Sequence, residues 1–288
     1  MQETIAKTDV DALGCVDTER FPLRDPDSAT YRQRVAEARK ALEHDGCCVL
    51  RGLIRPDALP ALAEETAGLA PKAHFTSSRA TVYGNTPNPD HPEGDPRRVE
   101  VKRDNGFVAG DFIPDTAQIR QLYHDADFRR FVGACLGLEE IHEFGDPLAQ
   151  LVVNVLKPGT GHGWHFDSNE FIVTLLTQPP DEGGSFDYCP QIRRPGSENY
   201  DEVGAVLEGD ESQVKFLDLR AGDLQIFFGR YSLHRVSTIR GSQDRHTVIF
   251  AYSREPGRLG NPEKTKQIFG RVTGEHASSA KNDDGLNG

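Results

Sequence analysis

Two different spacings of apolar residues follow one another along this chain. In the first half, residues 31–45, 55–69 and 115–138 place apolar side chains every three to four positions, which is the spacing of an amphipathic helix. Gly46 stands directly after the first of these segments, where a glycine commonly ends a helix. Residues 47–53 are a short, continuous apolar run and are predicted to form a buried strand. The first half is therefore expected to be mainly helical.

Beyond residue 145 the apolar runs become short, and several of them alternate with polar residues. Stretches rich in Gly, Pro, Asp and Asn separate them and predict turns. The runs read LAQLVVNVL, FIVTLLTQ, SFDYCP, VKFLDL, DLQIFF and HTVIFAYS. Short strands with regular turns between them are typical of a sandwich or a jelly roll. The sequence therefore predicts a mainly β core, either a sandwich or a jelly roll, with N-terminal α-helices.

Two further segments show little periodicity. Residues 76–115 are rich in Pro, Asp, Asn, Gly and Arg, which predicts an irregular lid or binding loop. Residues 256–288 are polar and are expected to form a loosely held tail. We therefore expect a single domain over residues 1–288, with a helical part at 1–144 and the β core at 145–255.

Composition narrows the class of protein. The 288 residues are 36% hydrophobic, and no apolar run approaches the ~20 residues of a membrane span. The first residues lack the basic start and apolar centre of a secretory signal. The five cysteines are odd in number and show no CxxC spacing, which favours reduced thiols. These features predict a cytoplasmic protein with no membrane partner, and they leave a homo-oligomer open.

Charge bears on the kind of partner. The formal net charge is −12, whereas a protein that binds nucleic acid usually presents a basic surface to the phosphates. We therefore expect a small-molecule substrate and no nucleic-acid partner. An anionic small molecule is not excluded, because a few inward-facing arginines can outweigh a distant acidic surface.

Three residues have the identity and spacing of metal ligands. His165 and Asp167 lie two positions apart in GWHFD, and His234 follows far downstream in GDLQIFFGRYSLHRV. On a strand, residues two apart point to the same face, so this pair can bind one metal ion while Phe166 points away. Two imidazoles and one carboxylate form the facial triad of non-haem Fe(II) enzymes. The sequence therefore predicts an Fe(II) site at these three residues.

A facial triad leaves positions on the iron for a chelating co-substrate and for dioxygen. The common chelator, 2-oxoglutarate, has a distal carboxylate that the protein must hold. Arg245 is suited to this task because a guanidinium can form two parallel bonds with a carboxylate. Thr247 lies two residues further and faces the same way. Asn154, on the strand before the metal motif, is placed to touch the co-substrate near iron, although an ordinary role in the sheet is equally open.

The ordered combination HxD…H…RxT resembles the Fe(II)/2-oxoglutarate-dependent dioxygenases. The resemblance covers residues 145–255 strongly and the N-terminal part more loosely. It implies a double-stranded β-helix, which is a cupin-like jelly roll. It also implies Fe(II), 2-oxoglutarate and dioxygen as cofactor and co-substrates, and the hydroxylation of an unactivated carbon.

The segment GHGWHFDSNEFIVTLLTQPPDEGGSFDYCPQIR is similar to the small free-amino-acid hydroxylases that are related to the lysine-type radical halogenases. In those halogenases a small residue replaces the carboxylate ligand and opens a site for chloride. Asp167 departs from that pattern, which favours oxygen chemistry. The resemblance implies that His162, three residues before the first ligand, helps to hold the substrate. It also implies that this substrate is a small polar molecule such as a free amino acid.

Other interpretations remain open at this point. The same iron chemistry can give desaturation or ring closure. A non-oxygenase cupin enzyme could use the metal as a Lewis acid, and a binding or sensing module could keep the fold without turnover. Four further residues are plausible substrate contacts, although a solvated or surface position is the default expectation for each: Asp146, Arg98, Arg103 and Tyr188. Trp164 and His246 are expected to have structural roles.

Overall fold

The structure is a computed structural model that describes residues 11–274 and 286–287. Six α-helices and fifteen β-strands lie in this part of the chain. The helices are α1 (Ala29–Asp45), α2 (Leu59–Leu69), α3 (Gln118–His124), α4 (Ala126–Leu136), α5 (Tyr200–Leu207) and α6 (Pro262–Phe269). The strands are β1 (Cys47–Leu50), β2 (His74–Ala80), β3 (Val101–Val108), β4 (His142–Glu143), β5 (Leu151–Leu156), β6 (His162–His165), β7 (Ile172–Gln178), β8 (Glu182–Gly183), β9 (Phe186–Cys189), β10 (Lys215–Leu217), β11 (Leu224–Phe227), β12 (Leu233–Val236), β13 (Ile239–Arg240), β14 (Arg245–Phe250) and β15 (Tyr252–Ser253).

The helix α1 shows how the sequence sets its own boundaries. The Ser28 side chain accepts a hydrogen bond from the Tyr31 backbone N–H at the start of the helix. Gly46 takes the left-handed conformation, with φ of 62°, and ends it as predicted. The buried face consists of Tyr31, Val35, Ala38 and Leu42, spaced three to four residues apart. That face packs against α4 and β1 and so fixes the edge of the sheet.

One curled antiparallel sheet of eleven strands forms the centre of the molecule. Its strand order is β1-β11-β7-β14-β5-β3-β6-β12-β9-β10, and β2 pairs with β3 beside this path. The turning point lies between β3 and β6, where Arg103 is opposite His162. Beyond it the sheet folds back, so that Arg245 on β14 and His165 on β6 line the same cavity. This is the jelly-roll arrangement expected from the sequence, and the predicted fold class is confirmed.

In the part of the sheet that contains β14, one face of the strands packs on the hydrophobic core and the other face lines the cavity. On β14, Val248 and Phe250 belong to the main hydrophobic core, whereas Arg245, Thr247 and Ile249 line the cavity. The core side is covered by α1 to α4, which contribute many of the buried apolar residues. The helices thereby support the sheet from outside and leave its inner face free for polar groups. None of the helices between residues 11 and 274 combines the length and apolar character that crossing a membrane requires.

Two segments differ from the expectation based on sequence. Residues 76–115 do not form one irregular lid, because they contain most of β2 and all of β3, and the longest stretch without helix or strand is residues 81–100. The part of residues 256–288 that the structure describes is not a loose tail, because it contains α6, whose Thr265 and Phe269 are buried. The β core also extends beyond residues 145–255, since β1 pairs with β11 and β3 pairs with β5.

The reason for the first difference is the polarity of the inner face. Arg103, Asn105 and Phe107 alternate along β3 and line the cavity, and Thr76 and Ser78 do so on β2. A strand whose inner residues are polar does not show the apolar alternation that marks a half-buried strand. The residues 1–10, 275–285 and 288 lie outside the described part of the chain, so the expectation of a loose tail is not tested there.

Candidate active site

An extra residue in β6 gives the site its geometry. In the pairing with β12, His165 is opposite His234 and His162 is opposite Val236, so three steps along β6 match two along β12. This is a β-bulge, which reverses the alternation of side chains. His162 and His165 therefore share one face although they are three residues apart, and their rings stack at 3.9 Å. Gly163 is needed within the bulge, since a Cβ there would lie 2.4 Å from the Lys102 carbonyl oxygen.

The three predicted ligands converge on one point. The His165 Nε2 lies 3.7 Å from the Asp167 Oδ1, and the His234 Nε2 lies 3.4 Å from the Asp167 Oδ2. One ligand atom from each residue falls within 4.8 Å of the others. Among residues 11–274 and 286–287, no second group of three or more His, Cys, Asp or Glu side chains has this arrangement. The spacing read from the sequence thus corresponds to a spatial cluster.

Backbone contacts orient both imidazoles. The His165 Nδ1 lies 2.9 Å from the Gly163 carbonyl oxygen, and the His234 Nδ1 lies 2.9 Å from the Ser232 carbonyl oxygen. A carbonyl can only accept, so each Nδ1 carries the proton and each Nε2 offers its lone pair to the shared point. Such contacts behind a metal-ligating histidine fix its tautomer and ring orientation.

Electrostatics keep the cluster in the form that binds a cation. Burial lowers the pKa of the His165 imidazole far below its ordinary value, so the ring is neutral. Burial raises the pKa of the Asp167 carboxyl, but the contact with His234 and the nearby His162 and Arg103 lower it by more, so the carboxylate stays charged. Two imidazoles and one carboxylate are the donor set expected for Fe(II). The residues present therefore fit the metal.

Asp167 itself lies just beyond the end of β6. Its backbone N–H donates to the Gly229 carbonyl oxygen at 3.0 Å. Phe166 points away from the ligands, as the sequence predicted. Its ring stacks on Tyr83 at 5.6 Å between centroids, and the Arg193 guanidinium lies 3.8 Å from its centre.

A buried arginine stands on the opposite wall. Arg245 and Thr247 are adjacent on the inner face of β14, and the Arg245 Nη1 donates to the Thr247 Oγ1 at 2.5 Å. Asn154 on β5 is paired with Thr247 across the sheet. These three predicted residues are buried and border the same cavity as the ligand cluster.

The Arg245 guanidinium lacks a counter-ion. Its Nε has no hydrogen-bond partner, and the part of the chain that the structure describes offers it no carboxylate within ion-pairing distance. Burial lowers the pKa of Arg245 to about 10. An isolated buried charge is costly and is normally paired. The wall formed by Arg245, Thr247 and Asn154 therefore fits an anionic group such as the distal carboxylate of 2-oxoglutarate.

The cavity between these walls has a volume of about 330 Å³, which suits small ligands. His162 borders it beside the ligand cluster, and its Nδ1 lies 3.4 Å from the Asn105 Nδ2. Burial lowers the pKa of His162 to about 3, so the ring is neutral. His162 thus lies in strand β6, beside the ligand cluster.

Two cavity residues differ from the expectation based on sequence. Arg103 was a plausible substrate contact with a surface position as the default expectation, and it projects from β3 into the cavity. Lys264 lies on α6, within the segment expected to be a loose tail, and it also lines the cavity. Only its residue type marked Arg103 as a candidate, and no local pattern marked Lys264.

The remaining candidates have structural or surface positions. The Asp146 carboxylate accepts from the Leu148 N–H and the Thr265 hydroxyl. Arg98 is exposed, and Tyr188 is buried in an apolar cluster. Trp164 packs in another apolar cluster, and His246 lies on the core face of β14. None of these five borders the cavity.

Comparison with protein families gives one match. The model described as HalD, Halogenase D, matches residues 30–267. No curated protein sequence matches the chain.

Several solved structures share the fold at low sequence identity. An oxidoreductase of the 2OG-Fe(II) oxygenase family from Burkholderia pseudomallei is 19% identical with a TM-score of 0.50, and the match covers 77% of this chain and 91% of that chain. A prolyl hydroxylase from Trichoplax adhaerens, in complex with a hypoxia inducible factor peptide fragment, is 15% identical with a TM-score of 0.52, covering 80% and 95%. The epimerase SnoN, in complex with Fe3+, alpha ketoglutarate and nogalamycin RO, is 16% identical with a TM-score of 0.51, covering 79% and 84%. The resemblance inferred from the sequence is thus confirmed at the level of the fold.

Proposed function

Because the chain belongs to the halogenase D family and has the fold of the 2OG-Fe(II) oxygenases, we propose that it is an Fe(II)- and 2-oxoglutarate-dependent dioxygenase. We further propose that it hydroxylates an unactivated carbon of a small polar substrate such as a free amino acid. One observation carries the proposal: the His165, Asp167 and His234 ligand atoms and the unpaired Arg245 guanidinium face a single cavity.

The ligand cluster has the features that an Fe(II) site needs. His165 and His234 offer their Nε2 lone pairs, and Asp167 supplies the negative charge. The backbone carbonyls behind both imidazoles hold the rings in place before the metal arrives. Iron bound here, with 2-oxoglutarate and dioxygen, supplies oxidation of a substrate C–H bond coupled to decarboxylation of 2-oxoglutarate to succinate.

The opposite wall has the features of a co-substrate anchor. Arg245 can form two parallel charge-assisted bonds with the distal carboxylate of 2-oxoglutarate. The Thr247 hydroxyl accepts from Arg245 and can donate its own proton to the same carboxylate. Asn154 lies across the sheet from Thr247, lines the same cavity and would contact the remaining length of the co-substrate. A non-oxygenase enzyme that used the metal as a Lewis acid would have no use for this anchor.

Substrate binding is assigned to the side of the cavity near β3 and β6. His162 lies ring to ring with His165 and is neutral, so it can accept a hydrogen bond at one ring nitrogen and donate at the other. Arg103 borders the same region and its Nε has no partner. The carboxylate of a free amino acid would satisfy that donor. Both residues lie close to the ligands, which brings a substrate carbon near the iron.

The family description names a halogenase, so halogenation is the second candidate. Asp167 favours oxygen chemistry, because its carboxylate fills the position that the related halogenases leave open for chloride. We therefore expect a product that gains oxygen, or loses hydrogen through desaturation or ring closure. Mass spectrometry of reactions run in chloride and in bromide separates the candidates. A halogenated product from the wild-type protein would overturn the hydroxylase assignment.

The proposal is tested by following succinate formation and product mass across a panel of free amino acids, with Fe(II), 2-oxoglutarate and dioxygen. His165→Ala, Asp167→Ala and His234→Ala should each abolish turnover, while circular dichroism reports an intact fold. Full activity of the purified His234→Ala protein would refute the metal assignment. The matched control is His44→Ala, since the His44 side chain is 79% exposed at the end of α1.

We further propose a cytoplasmic location. All five cysteines are buried and unpaired. Disulfides are rare in reducing compartments, so this pattern supports a cytoplasmic location.

A further inference from the structure

The cavity has an excess of positive charge over negative charge. Among the described residues that line it, Asp167 is the sole carboxylate, and it is committed to the ligand cluster. Three cationic side chains line the same space: Arg245, Arg103 and Lys264. Arg245 is assigned to the co-substrate and Arg103 to the carboxylate of the amino-acid head, which leaves Lys264 without an assigned partner. This local balance is opposite in sign to the net charge of −12 for the whole chain.

The hydrogen-bonding capacity of the Arg103 guanidinium is only partly used. Its Nη2 donates to the Thr81 carbonyl oxygen at 3.0 Å, whereas its buried Nε has no hydrogen-bond partner. Within residues 11–274 and 286–287 no carboxylate lies within ion-pairing distance of this guanidinium. Burial lowers the pKa of Arg103 to about 10, and the charge of Asp167 opposes this shift only in part.

Lys264 approaches the same space from α6. Its Nζ donates to the Ser168 Oγ at 3.0 Å, next to the ligand Asp167 in sequence. Burial lowers the pKa of Lys264, and repulsion by Arg103 and Arg230 lowers it further, while the charge of Asp167 offsets part of the shift. In the described part of the chain the ammonium has a hydroxyl as a partner and no carboxylate. Two like charges around one cavity are unfavourable unless an anion binds between them.

We propose, on the basis of the function assigned above, that the substrate is a small acid. Besides its amino-acid head, it carries an anionic side-chain group, a carboxylate or a phosphate. Arg103 and Lys264 together hold the two acidic groups, and Lys264 determines specificity. The cavity repels a basic amino acid, because it has no free carboxylate to receive a second ammonium group.

Binding to the wild-type protein tests the charge of the substrate. The protein is loaded with Fe(II) and 2-oxoglutarate under nitrogen, and calorimetry measures the affinity for L-aspartate, L-glutamate and O-phospho-L-serine. L-asparagine, L-glutamine and L-lysine are the comparisons, since the two amides match the acids in shape. At least one acid should bind about ten-fold or more tightly than its uncharged counterpart. The counterpart is the amide for aspartate and glutamate, and L-serine for O-phospho-L-serine. Equal or tighter binding of the amides, of L-serine or of L-lysine overturns the proposal.

A charge series at one position tests the role of Lys264. Lys264→Met should weaken binding of the preferred acid by about ten-fold or more and leave binding of its uncharged counterpart unchanged. Lys266→Met is the matched control, because Lys266 lies on the same helix but is exposed and does not border the cavity. Lys264→Glu should reverse the preference toward L-lysine. Equal losses for the acid and its counterpart in Lys264→Met would show a merely structural lysine.

Failure of this inference can be told apart from failure of the proposed function. If the substrate is not acidic, a neutral or basic amino acid binds best and still drives succinate formation. If the protein is not an oxygenase, no member of the panel drives succinate formation, and the relative affinities still report the charge preference of the cavity. Unchanged 2-oxoglutarate affinity in Lys264→Met separates a substrate effect from damage to the co-substrate site.

Discussion

Gly229 lies directly against the carboxylate of Asp167. A Cβ atom at position 229 would stand 1.8 Å from the Asp167 Oδ2, far inside contact distance. The Gly229 carbonyl oxygen also accepts the Asp167 backbone N–H at 3.0 Å. One residue between β11 and β12 therefore supports both the backbone and the side chain of the carboxylate ligand.

Gly229→Ala should displace the Asp167 carboxylate and weaken metal binding. We expect the affinity for Fe(II), or for Mn(II) as a redox-stable substitute, to fall by about ten-fold or more, as for other residues that support metal ligands. Titration calorimetry measures the loss. Gly68→Ala is the control, because Gly68 is exposed on α2 and a methyl group there would meet no other atom within 4 Å, so metal affinity should stay unchanged. Unaltered affinity in Gly229→Ala would show that the carboxylate is positioned by other contacts.

Arg245→Ala should raise the requirement for 2-oxoglutarate. The substitution removes a charge-assisted pair from a buried carboxylate, so the apparent KM should rise by about ten-fold or more. Arg245→Lys should recover part of the loss, because an ammonium supplies charge but cannot form two parallel bonds. Arg240→Ala is the control, since the Arg240 side chain is 67% exposed. If Arg245→Ala leaves the 2-oxoglutarate dependence unchanged, the anchor lies elsewhere.

His162→Ala should affect the substrate more than the co-substrate. The ring borders the cavity beside His165 on β6, whereas Arg245 lies on β14, so its loss should weaken substrate binding by about ten-fold while the KM for 2-oxoglutarate changes little. A poorly held substrate should also increase succinate formation that is not coupled to product. Parallel measurement of succinate and product gives the coupling ratio. Equal losses for both ligands, or no loss, would indicate a histidine with a structural role.

His246 should make the protein less stable in acid. Both ring nitrogens are buried without partners, and burial lowers the pKa of His246 below its ordinary value of 6.5. The unfolded chain therefore takes up a proton that the folded chain refuses, and stability is lost as the pH falls below 6.5. A single such group contributes at most about 1.4 kcal/mol per pH unit. His246→Leu should flatten this decline in chemical denaturation of the metal-free protein; an identical slope in both proteins would contradict the assignment.

The sequence was most informative where chemistry restricts residue choice. Metal binding needs particular ligands, so His165, Asp167 and His234 could be picked out by identity and spacing, and the structure brings them together. Arg245 could be found from the same logic, since an anchored carboxylate needs a guanidinium at a suitable distance along the chain. The functional roles of these residues stay predictions until the variants are measured.

Other parts of the site could not be found from local patterns. Arg103 and Asn105 face inward because the interior is a binding cavity, and inward polar residues conceal a strand from a search for apolar alternation. Lys264 joins the site only because α6 packs back onto β2 and β3, which is a long-range contact. The bulge in β6 depends on pairing with β12, and pairing register is not encoded within the four residues of that strand.

The bulge in β6 brings two residues with different proposed roles onto one face of a short strand. His165 is the proposed metal ligand and His162 the proposed substrate contact, and their rings lie parallel within 8°, with 3.9 Å between centroids. At this distance, turning one ring requires a matching change in the other. A metal ion that fixes the orientation of His165 would therefore also fix the surface that His162 presents to a substrate.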